Sequence, residues 1–514
     1  MHRRIHLFLA ALLFAGAAAV RLTDFTDQPL DFNPSRQLYS AIIARAIYYE
    51  SLPEADPGLR ALAGEHRDSL ERLEPPILET VSAFGYRLAG GERLWIPRLV
   101  SIAAWLAGGL LIVGIGQKMG SPGPGVLVGL GYFLFLPLGI YASRSFQVDP
   151  TMTVLIAGSV YAALVWSEQR TWRSVLIAGL VSGMAIFVKG VGALLLGPAL
   201  AACVWAAAGE EGSGWRIRLG ALVRDPQVWA LFALTIGPAL LYYSALPGET
   251  ESLYTRSVFY RLDEVLTPSF FIRWLILLDR LLEAPVILAA FGSAWLAPKP
   301  LRGMMLGLWI GYGLYGIAFP RLITTHDYYQ LPLVLIVALS LIPAADLVGR
   351  RLLEGGLAAR IVFTGLLLLA AFYPGWIARS VLLAEDFRDS GDYWALVGEE
   401  IPPDGRAVGY SQDYGFRLMF YGWRRINVLP EGISAEEFEE NHAGADYFVV
   451  TAKNQMSQDL AEHLETTYPA IAEGGGYVVY DLRKTNASDR HHPFLQPVPL
   501  PRSNHPLRPG AGGG

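Results

Sequence analysis

The sequence predicts a mainly α, polytopic membrane helical bundle of about 11 spans followed by a C-terminal soluble α/β domain, and three observations carry this expectation. Hydrophobic residues make up 53% of the 514-residue chain and mean hydropathy is +0.34, too apolar for an ordinary soluble protein. Apolar stretches of about 17–25 residues, long enough to cross a hydrocarbon core of roughly 30 Å, recur as far as about residue 378. Beyond about residue 380 the apolar runs shorten to strand length and alternate with polar helical stretches.

Taken in order, the expected spans fall near residues 4–20, 94–116, 124–142, 150–166, 173–189, 191–208, 228–246, 275–297, 303–319, 329–348 and 361–378. Arg3 and Arg4 precede an apolar run with small residues such as Gly16 and Ala19 near its end, so the first segment reads either as a span or as a signal, cleaved or retained; both readings export the loop that begins at residue 21. Short loops that hold Lys and Arg stay in the cytoplasm. With the N-terminus inside, the inner loops carry Lys118, then Arg170 and Arg173, then Arg216, Arg218 and Arg224, then Lys299 and Arg302, then Arg350, Arg351 and Arg360. That register places residues 21–93, 247–274, 320–328 and everything after about 379 outside the membrane of a bacterial cell.

The first outer loop, 21–93, is too long for a connector and carries two helix signatures. In one, Asn33 caps a helix opened by Pro34, with Leu38, Ile42 and Tyr49 on one face. In the other, Pro75 and Pro76 open a helix bearing Ile77, Val81, Phe84 and Leu88 that stops at Gly90 and Gly91. Both are expected to lie in the membrane interface. The expected domains are therefore 1–378 in the membrane, 379–484 as an extracytoplasmic α/β domain, and 485–514 as a disordered tail rich in Pro, Gly, His and Asn. Strands are expected at Arg406–Tyr410, Arg425–Leu429, Tyr447–Thr451 and Tyr477–Leu482.

A net charge of −5 over this length gives no basic field for nucleic acid. The single cysteine, Cys203, lies in an apolar run and reads as a small buried hydrophobe; one cysteine excludes an intrachain disulfide. Membrane-level polar groups are costly and mark cavities, and four clusters fall on the outer side: Asp31 to Gln37, Glu74-Pro75-Pro76, Ser143 to Pro150 and His326 to Gln330, with Lys189 at an outer helix end. Asp149 before Pro150 also suits a helix start, and Asn486-Ala487-Ser488 matches a glycosylation sequon.

Asn33-Pro34-Ser35-Arg36-Gln37 followed by Ile43-Ala44-Arg45 and Tyr48-Tyr49 resembles the bacterial protein-mannosyltransferase-like enzymes of the GT-C superfamily, whose first loop often reads His-Pro-Trp-Arg-Gln. Glu74-Pro75-Pro76, Pro97-Arg98-Leu99-Val100-Ser101, Tyr141 to Pro150 and His326 to Pro332 are similar to later blocks, and together they cover roughly residues 20–350. This sequence departs from the pattern at Asn33 and Ser35. Unlike the related aminoarabinose transferases, it has no Asp three residues before Arg36 and no Lys in the Glu74 block.

The resemblance implies a GT-C fold and an inverting glycosyltransferase. Its partners would be a polyprenyl-phosphate sugar donor, membrane lipid and an acceptor such as an envelope lipid, glycan or protein. A carboxylate takes the acceptor proton, and cations stabilise the departing phosphate. The candidate bases are Asp31 first, then Glu74 and Asp149; the candidate substrate contacts are Arg36, Arg144, Lys189, His326, Tyr328, Tyr329 and Gln330. No cofactor is required, and metal dependence stays open. A membrane transporter of lipids or sugars is the alternative, and it calls for ionisable groups near the midplane rather than at one face.

Overall fold

The computed structural model describes residues 2–121, 123–208, 214–245, 262–442 and 444–485. All but the first residue of the expected tail at 485–514, including the sequon at Asn486, and much of the 247–274 loop lie outside the described residues. The chain divides into two compact units, one formed by Met1–Gly398 with Phe416–Trp423 and the other by Glu399–Gly415 with Arg424–Gly514.

The first unit is a multi-pass membrane bundle. Six of its helices are long and apolar enough to cross a bilayer: Arg4–Arg21, Trp95–Lys118, Val148–Gln169, Pro226–Ala245, Asp327–Glu354 and Leu357–Ala384. The remaining expected spans fall on helices below that length or composition. The stretch at 124–142 is two helices, Pro124–Phe135 and Pro137–Ala142, because Leu136 before a proline is pushed to an extended ψ of 128°. The stretch at 275–297 likewise breaks between Pro268–Leu282 and Ala284–Ala294, at Glu283 with φ 64°. Pro285 has no amide hydrogen with which to carry the helix across.

Leu331–Glu354 is the central pillar. Its first half is almost wholly apolar, and Leu331, Leu333, Val334, Leu335 and Val337 are all fully buried, as expected for a helix surrounded by others. Small residues permit close neighbours: a Cβ at Gly125 would meet the Ile342 carbonyl oxygen at 2.3 Å.

The first loop folds into three helices. Pro34–Glu50 does not lie out in the interface as expected: Leu38 and Ile42 are 0% and 1% exposed, packed with Leu78, Tyr86 and Phe420. Pro57–Asp68 was not anticipated, although Asp56 before Pro57 is an N-cap signal and its side chain accepts from the Leu59 amide at 2.9 Å. Ile77–Ala89 ends at Gly90 in the left-handed region, and its Val81, Phe84 and Leu88 face outward, exposed at 47%, 60% and 75%.

The second unit holds a five-stranded sheet of order β2-β1-β3-β5-β4, with β1 Ala407–Tyr410, β2 Ile426–Val428, β3 Tyr447–Val450, β4 Ala470–Gly474 and β5 Tyr477–Asp481. β1 runs parallel to β2 and β3, whereas β5 runs antiparallel to β3 and β4. β4 escaped the sequence pattern because its residues are mostly exposed and it is short of the β-branched and aromatic residues that mark a strand.

Candidate active site

Several helix termini meet at one end of the bundle, and the polar sequence clusters sit on them. Asp149 lies in the first turn of Val148–Gln169, and Lys189 is the extended residue that ends Trp172–Val188. Both are buried, and Lys189 Nζ donates to Asp149 Oδ1 at 2.7 Å. The ammonium stands 4.9 Å from the Tyr329 ring centroid and 5.5 Å from that of Tyr328, so two aromatic faces and one carboxylate share its charge. Asp149 Oδ2 has no hydrogen-bond partner, an acceptor left open in a buried place.

A second ion pair lies within electrostatic reach of the first. Arg36, in the first turn of Pro34–Glu50, donates from Nη2 to both Glu74 oxygens at 3.0 and 3.2 Å. Burial disfavours the Arg36 cation, but Glu74, Tyr328, Asp149 and Tyr329 more than offset this and raise its pKa well above the ordinary guanidinium value. Burial pushes the His326 imidazole below its usual value, against the pull of Asp327, which favours the neutral ring near pH 7. The His326 ring centroid is 5.5 Å from Tyr328 and 5.9 Å from Tyr329. The expected cap at Asn33 differs in detail. Asn33 does occupy the N-cap position, but with φ 48° its side chain makes no cap bond and donates instead to Asp327 Oδ1 at 3.1 Å.

Behind Arg36, Glu79 is fully buried and accepts from Ser40 Oγ at 2.7 Å, while its other oxygen has no partner. Burial raises its pKa to about 7 against the opposing Ser40 hydrogen bond.

Asp31 belongs to a separate ion cluster. Its carboxylate accepts from Arg98 Nη2 at 3.2 Å and Gln37 Nε2 at 3.3 Å, and Arg144 Nε stands 3.6 Å away. Both guanidiniums are almost completely buried; Arg144 also donates to the Asp24 carbonyl at 2.8 Å, and Arg98 to that of Gln28 at 3.0 Å. Burial lowers the Arg144 pKa to about 10, with Asp31 opposing. Gln37 ties the two regions together, its Oε1 accepting from the Phe146 amide at 3.0 Å.

Of the residues singled out from sequence, Arg36, Glu74, Asp149, Lys189, His326, Tyr328 and Tyr329 gather in one cluster. Asp31 and Arg144 pair with each other nearby. Gln330 is fully buried with both ends of its amide occupied, donating to the Ile323 carbonyl at 2.7 Å and accepting from Tyr312 Oη. Sequence reasoning missed Asn33 as a partner of Asp327, Glu79, and Arg98 as the clamp on Asp31. The signal for Arg98 was available: an arginine four residues into an apolar helix needs an acceptor. Among the described residues no group of three or more His, Cys, Asp and Glu converges to hold a metal ion.

Comparison with known proteins places this geometry in context. The dolichyl-phosphate-mannose-protein mannosyltransferase family matches residues 73–242, less than half of the chain. No curated protein matches. Among solved structures, ArnT from Cupriavidus metallidurans in the apo state superposes with TM-score 0.55 at 16% identity, covering 91% of this chain and 97% of that one. The same protein bound to undecaprenyl phosphate gives 0.57 at 16% identity, covering 94% and 99%. The arabinofuranosyltransferase AftD from Mycobacteria gives 0.51 at 15% identity, covering 94% of this chain and 42% of AftD. The chain therefore has the GT-C fold of these glycosyltransferases.

Proposed function

We propose that the chain is an inverting glycosyltransferase that moves a sugar from a polyprenyl-phosphate donor to an acceptor on the extracytoplasmic face of a bacterial inner membrane. The observation that carries this is the convergence of two buried ion pairs, Lys189–Asp149 and Arg36–Glu74, against Tyr328 and Tyr329 at one end of the bundle. The likeness to a GT-C structure holding undecaprenyl phosphate supports the choice of donor. Position at helix ends rather than midway along them disfavours transport.

In this mechanism Lys189 and Arg36 receive the donor phosphate. As the bond from the anomeric carbon to the phosphate oxygen breaks, the electron pair and the growing charge pass to the phosphate, which the two cations stabilise more in the transition state than before it. The acceptor hydroxyl attacks from the opposite face, giving inversion, and loses its proton to a carboxylate. Glu74 takes that role, because its side chain keeps 7% exposure beside Arg36, itself 17% exposed, whereas Asp149 at 0% fixes Lys189. Asp31, clamped by Arg98 and Arg144, acts on the scaffold. The extracytoplasmic domain contributes acceptor recognition.

The test is turnover of radiolabelled polyprenyl-phosphate sugars by purified protein, with donor binding followed in parallel. Glu74→Gln is expected to lower turnover by about 10²–10⁴-fold while donor still binds. Lys189→Met is expected to lose donor binding. Full activity in Glu74→Gln, with loss in Asp31→Asn alone, would return the base to Asp31.

A further inference from the structure

At the end of the bundle opposite the ion pairs, a cleft of 910 Å³ opens among the Arg4–Arg21, Trp95–Lys118, Pro124–Phe135, Leu331–Glu354 and Leu357–Ala384 helices. The 24 residues of Leu331–Glu354 span about 36 Å, so this cleft and the candidate active site stand roughly one bilayer apart. Its walls are apolar, with Leu7, Val113, Val126 and Leu127 among them, and its rim is charged, with Arg350, Arg360 and Glu354.

The rim carries both signs. Arg350 is half exposed; its Nε pairs with Asp346 at 2.7 Å and its Nη2 donates to the Gly120 carbonyl at 3.1 Å. Arg360 donates from Nε to the Leu353 carbonyl at 3.0 Å, which holds the guanidinium at the C-terminal end of the pillar helix. Glu354 is exposed and makes no hydrogen bond or ion pair among the described residues. With Asp346 answering Arg350, the remaining side chains of full charge are the Arg360 guanidinium and the Glu354 carboxylate, with the polar His6 and Gln117 also lining the trough.

We propose that this cleft binds a diacyl phospholipid with a primary-ammonium headgroup, of the phosphatidylethanolamine type. Arg360, assisted by the outer edge of Arg350, takes the phosphodiester. Glu354 takes the ammonium, and the first carbons of the acyl chains lie along Leu7, Val126 and Leu127. A primary ammonium can donate hydrogen bonds to Glu354, which a quaternary ammonium cannot, and a headgroup of net negative charge meets Glu354 unfavourably. Apolar walls with a few convergent polar groups and this volume are what amphiphile sites offer.

The experiment measures thermal unfolding of the full-length protein in detergent with added phosphatidylethanolamine, phosphatidylcholine or phosphatidylglycerol of identical chains. Retained lipid is counted by native mass spectrometry. Phosphatidylethanolamine is expected to raise Tm by roughly 2–5 °C more than either other lipid. Glu354→Gln should abolish that preference while leaving general phospholipid retention, and Arg360→Gln should reduce retention of all three. Because the Glu354→Gln arm is read as a difference between lipids on the same protein, an altered baseline Tm does not affect its outcome. Equal shifts from the three lipids, a preference for phosphatidylglycerol, or a preference that survives Glu354→Gln would overturn the assignment.

Discussion

Lys189 and Asp149 share one buried environment, their side chains 3% and 0% exposed, so neither charge is affordable without the other. Lys189→Met is expected to destabilise the protein by about 3–5 kcal/mol by stranding the Asp149 carboxylate. The double change Lys189→Met with Asp149→Leu should recover a good part of that loss, read as Tm in a double-mutant cycle. Glu79 has the opposite character. Its folded pKa of about 7 stands above the ordinary 4.5, so folding favours the protonated form. Its contribution is unperturbed below the lower value. As pH rises from there to about 7 the unfolded state releases a proton that the folded state retains, and stability falls by about 3 kcal/mol. Glu79→Gln keeps the Ser40 partner and removes the titration, so it should gain Tm over the parent protein at pH 8 and not at pH 4.5. An equal difference at both pH values would show that Glu79 is not held neutral.

At the scale of elements, the three helices of the first loop divide their labour. Pro34–Glu50 is clamped inside the first unit, with Arg45 paired to Glu92 at 2.8 Å and its guanidinium 3.8 Å from the Phe420 ring and 4.2 Å from the Trp423 ring. Arg45→Lys keeps the charge but loses the planar fork and the stacking, and is expected to cost about 1–3 kcal/mol, measurable as a lower Tm. Ile77–Ala89 turns Val81, Phe84 and Leu88 outward, and this face is expected to meet lipid. A tryptophan introduced as Phe84→Trp should be quenched strongly by lipids brominated near the headgroup and weakly by aqueous iodide; the reverse order would place the face in water. Sequence periodicity found this helix and its Gly90 stop. It could not separate an apolar face that touches lipid from one that touches protein, because both have the same spacing, which is why Pro34–Glu50 was expected in the interface.

For the whole molecule, the arrangement of basic loops predicts which side of the membrane each end faces. In a Cys203→Ser background, Glu54→Cys should react with a membrane-impermeant maleimide in intact cells, and Lys299→Cys only after lysis. Labelling of Lys299→Cys in intact cells would invert the topology and with it the side on which transfer takes place. The Phe416–Trp423 segment belongs to the same compact unit as Arg45 and Tyr49, with Tyr49 5.8 Å from Trp423 between ring centroids. A chain ending near residue 385 would therefore strip packing from the membrane unit itself. One ending after Trp423 is expected to keep a higher Tm than the shorter truncation.

The amino-acid sequence alone determined the membrane class, most of the helix-forming stretches, four of the five strands, and most of the polar residues now found together, because hydropathy, helix punctuation and costly membrane-level charges are written locally. Only the tertiary structure decided which charges pair. Asp31 and Glu74 look alike as loop carboxylates, and what separates them is that Arg98 and Arg144 close on one while Arg36 alone meets the other. Those partners lie 67, 113 and 38 residues away in the chain. Pairing at such separation is set by how the helices pack.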